Sequence, residues 1–350
     1  MSNLSFLNKI IYWINSVFLL LLILSYLSPF INPSIFWPIS FIGLLFPFLF
    51  LINCLFLIYW LFKYKKQVFG NIIVLLFGLK YISVFVGPSP KEITNQDSIM
   101  ILSYNVRLFN YYKWIKKDNI KEKIVEFIKK ENADIICLQE YYNQNQMNTL
   151  QYKYKHIGPD DKKNSWHMAI YSKYPQIKKG YITIDGKEKY NTCIYSDIVV
   201  NSDTIRIYNI HLVSNWFNHN DYSFIENPNK TDIKKSIRGI INKMKNSYKI
   251  RSQEVKIIKK HMASSPYPNI VVGDFNDTPL SYAYNTIKNE LKDSFSISGK
   301  GIGKSFIKIP GLRIDYILHD KTLNSFNYKQ YNDKLSDHFP ISCEIEITNP

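Results

Sequence analysis

The first 90 residues contain neither Asp nor Glu, and three long apolar runs occupy them, at 10–27, 36–62 and 69–86. Each is close to the ~20 residues with which a helix crosses a bilayer, although Lys80 interrupts the third. The pattern predicts an N-terminal transmembrane region over residues 1–90 with three helices, which makes a lipid bilayer the first partner of the chain. Two spans with a surface helix are the alternative. A cleaved signal peptide fits poorly, because the second run follows at once and no small-residue cleavage site separates them. The loop "KYKK" at 63–66 is the densest cationic one and belongs in the cytoplasm by the positive-inside rule. Three crossings then place the rest of the chain on the non-cytoplasmic side of an inner or plasma membrane.

The formal charge is +16, and the five lysines of the apolar region leave +11 over residues 91–350. Such a balance suits a polyanionic substrate or an anionic membrane face. A compositional bias toward Lys, Asn and Ile gives the same charge with no partner, so both readings stand. The four cysteines show no C-x-x-C spacing and suggest neither a disulfide framework nor a zinc site.

A polar linker at 91–98, overlapping the hinge "GPSPKEITNQD" (87–97), leads to a domain over 99–350. Short β-rich runs alternate there with turns, at 98–105, 134–138, 167–172, 193–200, 204–212, 269–275, 313–318 and 339–347. Two helices are expected. In "DNIKEKIVEFIKKENAD" Asp118 is placed to cap a face of Ile120, Ile124, Phe127 and Ile128. The second is long and basic, over 231–262, with Gly239 and "NSYK" as points where it breaks in two. The polar, aromatic segment 214–230 before it reads as a long loop.

Polar residues recur where these apolar strands end: Asn105 in "SYN", Glu140 in "CLQE", Asn209 and His211 in "YNIHL", Asp274 and Asn276 in "GDFND", Asp315 in "RIDYIL", and Asp337 with His338 in "LSDHFP". Taken singly, each is an ordinary turn or surface residue; together they describe a site assembled from several strand ends. Oxygen donors such as Glu140, Asp337 and Asn105 suit Mg2+, with Mn2+ or Ca2+ as substitutes, more than zinc. A carboxylate beside an imidazole raises its pKa and fixes its tautomer, and Asp315 is a plausible partner for His338. Asn276 and His211 are donors suited to phosphoryl oxygens. Metal-assisted hydrolysis of a phosphoester is the chemistry that uses all these parts.

The ordered set "SYNVR", "CLQE", "AIYSKYP", "YNIHL", "GDFND", "RIDYIL" and "SDHFP" resembles the endonuclease/exonuclease/phosphatase superfamily from about residue 99 to 347. The resemblance implies an α/β (α+β) fold, a four-layer α/β/β/α sandwich. It also implies roles: Glu140 as the direct metal ligand with Asn105 and Asp337 nearby, Asp274 as the acid that orients or activates water, and Asn276 as the amide on the scissile phosphate. His338 becomes the catalytic histidine paired with Asp315, and His211 a second histidine acting as acid or phosphate ligand. One departure is His167, two positions before the Ala of "AIYSKYP", where Gly is frequent.

Substrate is the open question. A membrane-anchored, Mg2+-dependent phosphodiesterase or nuclease fits the basic domain and the aromatics Trp216 and Phe217 in the loop after His211. A phosphatase or phospholipase, sphingomyelinase-like and acting on lipid or inositol headgroups, fits the membrane tether. A non-catalytic tethered binding domain is opposed by the intact motif set. No protein partner is predicted.

Overall fold

A computed structural model describes residues 4–90, 92–93, 98–142, 152–158, 167–182, 193–228, 233–309 and 311–347. Five helices come first: α1 (Phe6–Ser25), α2 (Pro33–Phe36), α3 (Pro38–Leu44), α4 (Phe46–Phe62) and α5 (Gln67–Ile82). The strands and helices that follow are β1 (Val86–Pro88), β2 (Ser98–Asn105), α6 (Ile120–Glu131), β3 (Ile135–Tyr141), β4 (Tyr154–Gly158), β5 (His167–Ser172), β6 (Gln176–Ile182), β7 (Cys193–Val200), β8 (Asp203–His211), α7 (His219–Glu226) and α8 (Ile233–Ala263). The chain ends through β9 (Asn269–Asp274), α9 (Tyr282–Lys288), β10 (Leu291–Asp293), α10 (Ser294–Ser298), β11 (Lys300–Ile302), β12 (Asp315–Asp320), β13 (Asn324–Gln330) and β14 (Ile341–Glu346). Two compact units result: one holds Met1–Ser83 with Asn218–Ser252 and Pro279–Asn285, the other Val84–Phe217, Gln253–Thr278 and Thr286–Pro350.

The helical unit has its polarity reversed. Asn15, Asn53 and Asn71, one from each of α1, α4 and α5, are buried, whereas Phe6, Trp13, Phe48, Leu55, Phe69 and Phe77 are exposed. Asn15 Nδ2 donates to Asn71 Oδ1 (3.1 Å), Asn71 Nδ2 to Asn15 Oδ1 (2.9 Å), and the Trp60 indole N–H also reaches Asn15 Oδ1 (2.8 Å). The three apolar runs form helices of unequal length. Among the described residues α1, at 20 residues, is the one helix long and apolar enough to cross a membrane alone, while α3 and α4 pass only together as a bent pair. The second run splits into α3 and α4, bent by 62°, because Pro47 lacks an amide hydrogen and sits in the first turn of a new helix. At 16 residues α5 is only about 24 Å long, short of a ~30 Å hydrocarbon core.

The second unit is an α/β sandwich of two six-stranded mixed sheets, in the orders β13-β14-β2-β3-β5-β4 and β10-β12-β9-β8-β7-β6. Each contains one parallel pair, β2 with β3 and β8 with β9, and is otherwise antiparallel. Inward residues of both sheets, among them Ile101, Cys137, Ile170, Ile207, Val272 and Ile317, form one closed apolar layer. The outer face of the first sheet is covered by α6 through Ile120, Ile124, Phe127 and Ile128. On the second, Val255 and Ile258 of the C-terminal part of α8 are buried, and Tyr208 Oη lies 2.9 Å from His261 Nδ1. A separate small pairing joins β1 to β11.

Local details depart from the sequence reading in three places. Asp118 does not cap α6; Asn119, in the left-handed region at φ 58°, precedes Ile120 without a side-chain cap. The long basic helix does not break: α8 runs uninterrupted for 31 residues from Ile233, residues 231 and 232 lying outside the described ones. Gly239 faces open space, so its only cost is backbone entropy. Segment 214–230 contains the two-turn helix α7, started by a reciprocal capping box between Asn218 and Asp221.

Candidate active site

Sheet register brings the polar strand ends together. In the second sheet His211 is paired across to Asp274, and Asp274 to Asp315, so three neighbouring strands present a row of imidazole and two carboxylates. In the first sheet the parallel pair β2–β3 ends at Asn105 and, one residue past the register of Gln139, at Glu140. Asn105, Glu140, His211 and Asp274 lie at or beside the carboxyl ends of the parallel strands and Asp315 at the start of the antiparallel β12, so the side chains converge on one end of the sheets.

The local backbone is specific to the task. Between Leu138 and Tyr141 the ladder with β5 slips, so Gln139 and Glu140 oppose Met168 alone; Glu140 takes φ 46°. This bulge turns the Glu140 carboxylate away from the direction that strand alternation would give it. Gly273 has φ +133°, and a Cβ there would lie 2.1 Å from the Ile210 carbonyl oxygen, so only glycine lets β9 approach β8 directly before Asp274. Beneath the site Gln139 Nε2 donates to Asn209 Oδ1 (2.7 Å), and Asn209 Nδ2 to the carbonyls of Leu138 (2.9 Å) and Ala169 (3.0 Å). These buried amides tie one sheet to the other.

A chain of contacts crosses the site. Asp315 Oδ2 is 2.9 Å from His338 Nδ1, His338 Nε2 is 3.5 Å from Asp274 Oδ2, and Asn105 Nδ2 donates to Asp274 Oδ2 (3.1 Å) and Glu140 Oε1 (3.3 Å). His211 Nε2 stands 3.7 Å from Glu140 Oε1 and 3.8 Å from Asp274 Oδ2, is buried, and makes no hydrogen bond among the described residues. Asp274 Oδ1 accepts the backbone N–H of Asn276 (2.7 Å), whose side chain donates to the Leu212 carbonyl (2.9 Å) and leaves one of its two N–H groups unspent on that bond. His338 is clamped from behind: Ser305 Oγ accepts the amides of Ile314 and Asp315, and the Phe306 ring lies 5.1 Å from the imidazole.

Charge is unevenly compensated. Burial works against the His338 cation, but the carboxylates of Asp315, Asp274 and Asp337 outweigh it and push its pKa up to about 10. Burial raises Asp274 to about 6 against the pull of His338. Glu140 is raised to about 7 by burial and by Asp337, with His338, Asn105 and Arg107 pulling the other way. Burial lowers His211, which is therefore a neutral imidazole at pH 7. A carboxylate held this high by burial and by a second carboxylate fits a position for a cation, and the all-oxygen pair Glu140 and Asp337 fits a hard one. Asp274, Asp315 and His338 also place ligand atoms within 4.8 Å of one another, but they already bond among themselves.

Arg107, quoted in "SYNVR" without a role, proves central. Its Nη1 is 3.2 Å from Asp337 Oδ2, and its backbone N–H donates to Asn105 Oδ1 (3.1 Å), so the Asn105 oxygen faces the backbone and its nitrogen faces the carboxylates. Ser336, also unassigned from sequence, donates to the Asn105 carbonyl (2.7 Å). Residues Arg107–Asn110 all have positive φ (44°, 51°, 52° and 59°), a left-handed turn costing about 1–2 kcal/mol per residue. Four successive non-glycine residues of this kind leave no residue-type signal to read.

A family model described as endonuclease/exonuclease/phosphatase matches residues 102–338, and a second, a domain of unknown function (DUF8431), matches 8–85. No curated protein matches the chain in sequence. Among solved structures, an endonuclease/exonuclease/phosphatase family protein from Bacteroides thetaiotaomicron aligns with TM-score 0.52 and 18% identity over 71% of this chain and 94% of its own. The mannosyl-6-phosphatase of the same organism aligns at 0.51 and 18%, over 71% and 99%. The human nocturnin catalytic domain, with bound sulfate, aligns at 0.52 and 17%, over 74% and 97%. At these identities the structural likeness establishes the fold.

Proposed function

The chain belongs to the endonuclease/exonuclease/phosphatase family and is a phosphoester hydrolase, and from that premise we propose a membrane-anchored, Mg2+-dependent phosphodiesterase of nuclease type. The observation that carries the reading is the chain Asp315–His338–Asp274–Asn105–Glu140, which joins the ends of both sheets around one small volume.

In the proposed mechanism Asp274 Oδ2 takes the proton of the attacking water. Its other oxygen is held by the Asn276 amide, and its pKa near 6 keeps it mostly ionised yet basic at pH 7. The water oxygen bonds to phosphorus as the bond to the leaving oxygen breaks, and that oxygen is protonated from solvent. His338, held protonated and oriented by Asp315, sets positive charge against the phosphoryl oxygens as their charge grows. His211 and Asn276 contribute neutral N–H donors to the same oxygens. Glu140, with Asp337, would hold the metal, Asn105 keeping the Glu140 carboxylate in place. Bound there, Mg2+ supplies Lewis-acid stabilisation of phosphoryl charge, and Mn2+ or Ca2+ are expected to substitute in binding.

The reversed polarity of the helical unit supports anchoring: buried asparagines inside and exposed Phe, Leu and Trp outside suit lipid as solvent. With α1 as the principal span, the positive-inside rule assigns "KYKK" to the cytoplasm. The same anchoring favours a second reading, a phosphatase or phospholipase acting on lipid or inositol headgroups at the bilayer.

The test is turnover by full-length protein in micelles with Mg2+, on single- and double-stranded DNA, RNA, inositol phosphates, mannose 6-phosphate and sphingomyelin. His338→Ala is expected to lose about 10³-fold or more in kcat on the true substrate. Turnover confined to headgroups or monoesters moves the assignment to the second reading, and turnover that His338→Ala leaves intact rejects the site.

A further inference from the structure

We infer that the loop after β2 is a stacking shelf for the bases of a single-stranded nucleic acid, a deepening that rests on the nuclease reading of the adjoining site. The left-handed turn ends at Asn110, whose side chain clasps Ile115 in both directions: Nδ2 donates to its carbonyl and Oδ1 accepts its N–H, each at 2.9 Å. Lys113 N–H closes on the Asn110 carbonyl (2.8 Å), and Ile115 packs against the apolar cluster under α6. The loop is therefore fixed in shape before any ligand arrives, which lowers the ordering cost of binding.

What it displays is unusual for a surface. Tyr111, Tyr112 and Trp114 are 54%, 57% and 40% exposed. Their rings form a series with Tyr142, two residues beyond Glu140: Tyr142 to Tyr111 at 4.9 Å, Tyr111 to Tyr112 at 5.1 Å and Tyr112 to Trp114 at 5.1 Å. The guanidinium of Arg107 lies over the Trp114 ring, 4.3 Å from its centroid, and the same guanidinium holds Asp337. The shelf is thus continuous with the site. Exposed Lys113 stands between Tyr112 and Trp114 in sequence, and exposed Lys116 and Lys117 follow after Ile115.

A monosaccharide would occupy one ring and would need a set of converging hydrogen-bond groups. Several rings in series with cations beside them match a polymer that repeats a planar group and a phosphate. Stacking is tolerant of sequence because every base has a π-face, so the expected selectivity is for single strands and not for a particular base.

The experiment measures fluorescence anisotropy of full-length protein in micelles, in EDTA so that nothing is cut. The probes are a labelled 12-nucleotide single-stranded DNA and the same backbone built from abasic sugars. The intact strand is expected to bind about tenfold or more tightly than the abasic one. Tyr112→Ala, which leaves Arg107 untouched, and Trp114→Ala should each weaken the intact strand about fivefold or more while holding the abasic strand within about twofold. Trp114→Phe should restore most of the loss. Equal binding of the two strands by the unmodified protein overturns the inference, as does a loss in the ring variants that affects both strands alike. Discrimination between the strands without Mg2+-dependent cutting of either sustains the shelf and removes the nuclease reading.

Discussion

At the scale of single residues, the groups proposed to carry the chemistry are held in place by buried amides outside the proposed mechanism. Asn209 is the clearest: replacing it by Leu would take the shortest acceptor from Gln139 Nε2, leaving it Ser103 Oγ and the Cys137 carbonyl at 3.3 Å, and would remove the side-chain donor from the buried carbonyls of Leu138 and Ala169. The expected cost is about 2–4 kcal/mol, read as a lower thermal midpoint, with activity falling because Glu140 follows Gln139 directly. An unchanged midpoint would show that the amide link is replaceable by packing. Glu140 gives a pH prediction. Its folded-state pKa is raised to about 7 from an ordinary 4.5, so without metal its protonation contributes stability that is full below pH 4.5 and is lost as pH rises through 7. Cation binding needs the ionised form, so Mg2+ affinity should rise as pH passes about 7 and binding should release a proton. Calorimetry in two buffers of different ionisation heat checks this; a pH-independent affinity, or Glu140→Gln binding as well as the parent, would remove Glu140 from the metal site. The polar strand ends named from sequence do converge. Arg107 and Ser336 were not legible, because their importance arises from a left-handed turn and a backbone carbonyl that no spacing encodes.

Among the elements, legibility follows position in the sheet. The eight strands readable from sequence are the eight interior ones, while β4, β6, β10 and β13, which were not, are the four edges. Interior strands are buried on both faces and read as apolar runs. Edge strands such as β6 "QIKKGYI" and β13 "NSFNYKQ" keep polar and charged residues, which also discourages pairing with other chains. In the helical unit the apolar run 36–62 concealed a bend that Pro47 could have disclosed. Asn15 holds that unit together, and Asn15→Leu would strip the partner from the Trp60 indole and loosen Asn71. A loss of about 1–2 kcal/mol is expected, measured by detergent unfolding followed through tryptophan fluorescence. No shift in the transition would mean the three helices associate through apolar packing alone.

For the whole molecule, the exposed Phe, Leu and Trp side chains of α1, α4 and α5 and the +11 charge spread over residues 91–350 make opposite demands on solvent. Full-length protein is expected to stay with the membrane pellet after alkaline carbonate washing, whereas release into the supernatant would make the helices a peripheral attachment. The sandwich is built out of sequence order: the chain completes four strands of the first sheet, makes all six of the second, and returns to the first for β13 and β14. Asn105 and Glu140 come from one sheet, His211, Asp274 and Asp315 from the other, and His338 from the returning segment. A nascent chain therefore lacks a complete set of these groups until residue 338 has been joined to it and the returning strands have closed the first sheet, so an unfinished chain has no His338 with which to begin the proposed hydrolysis.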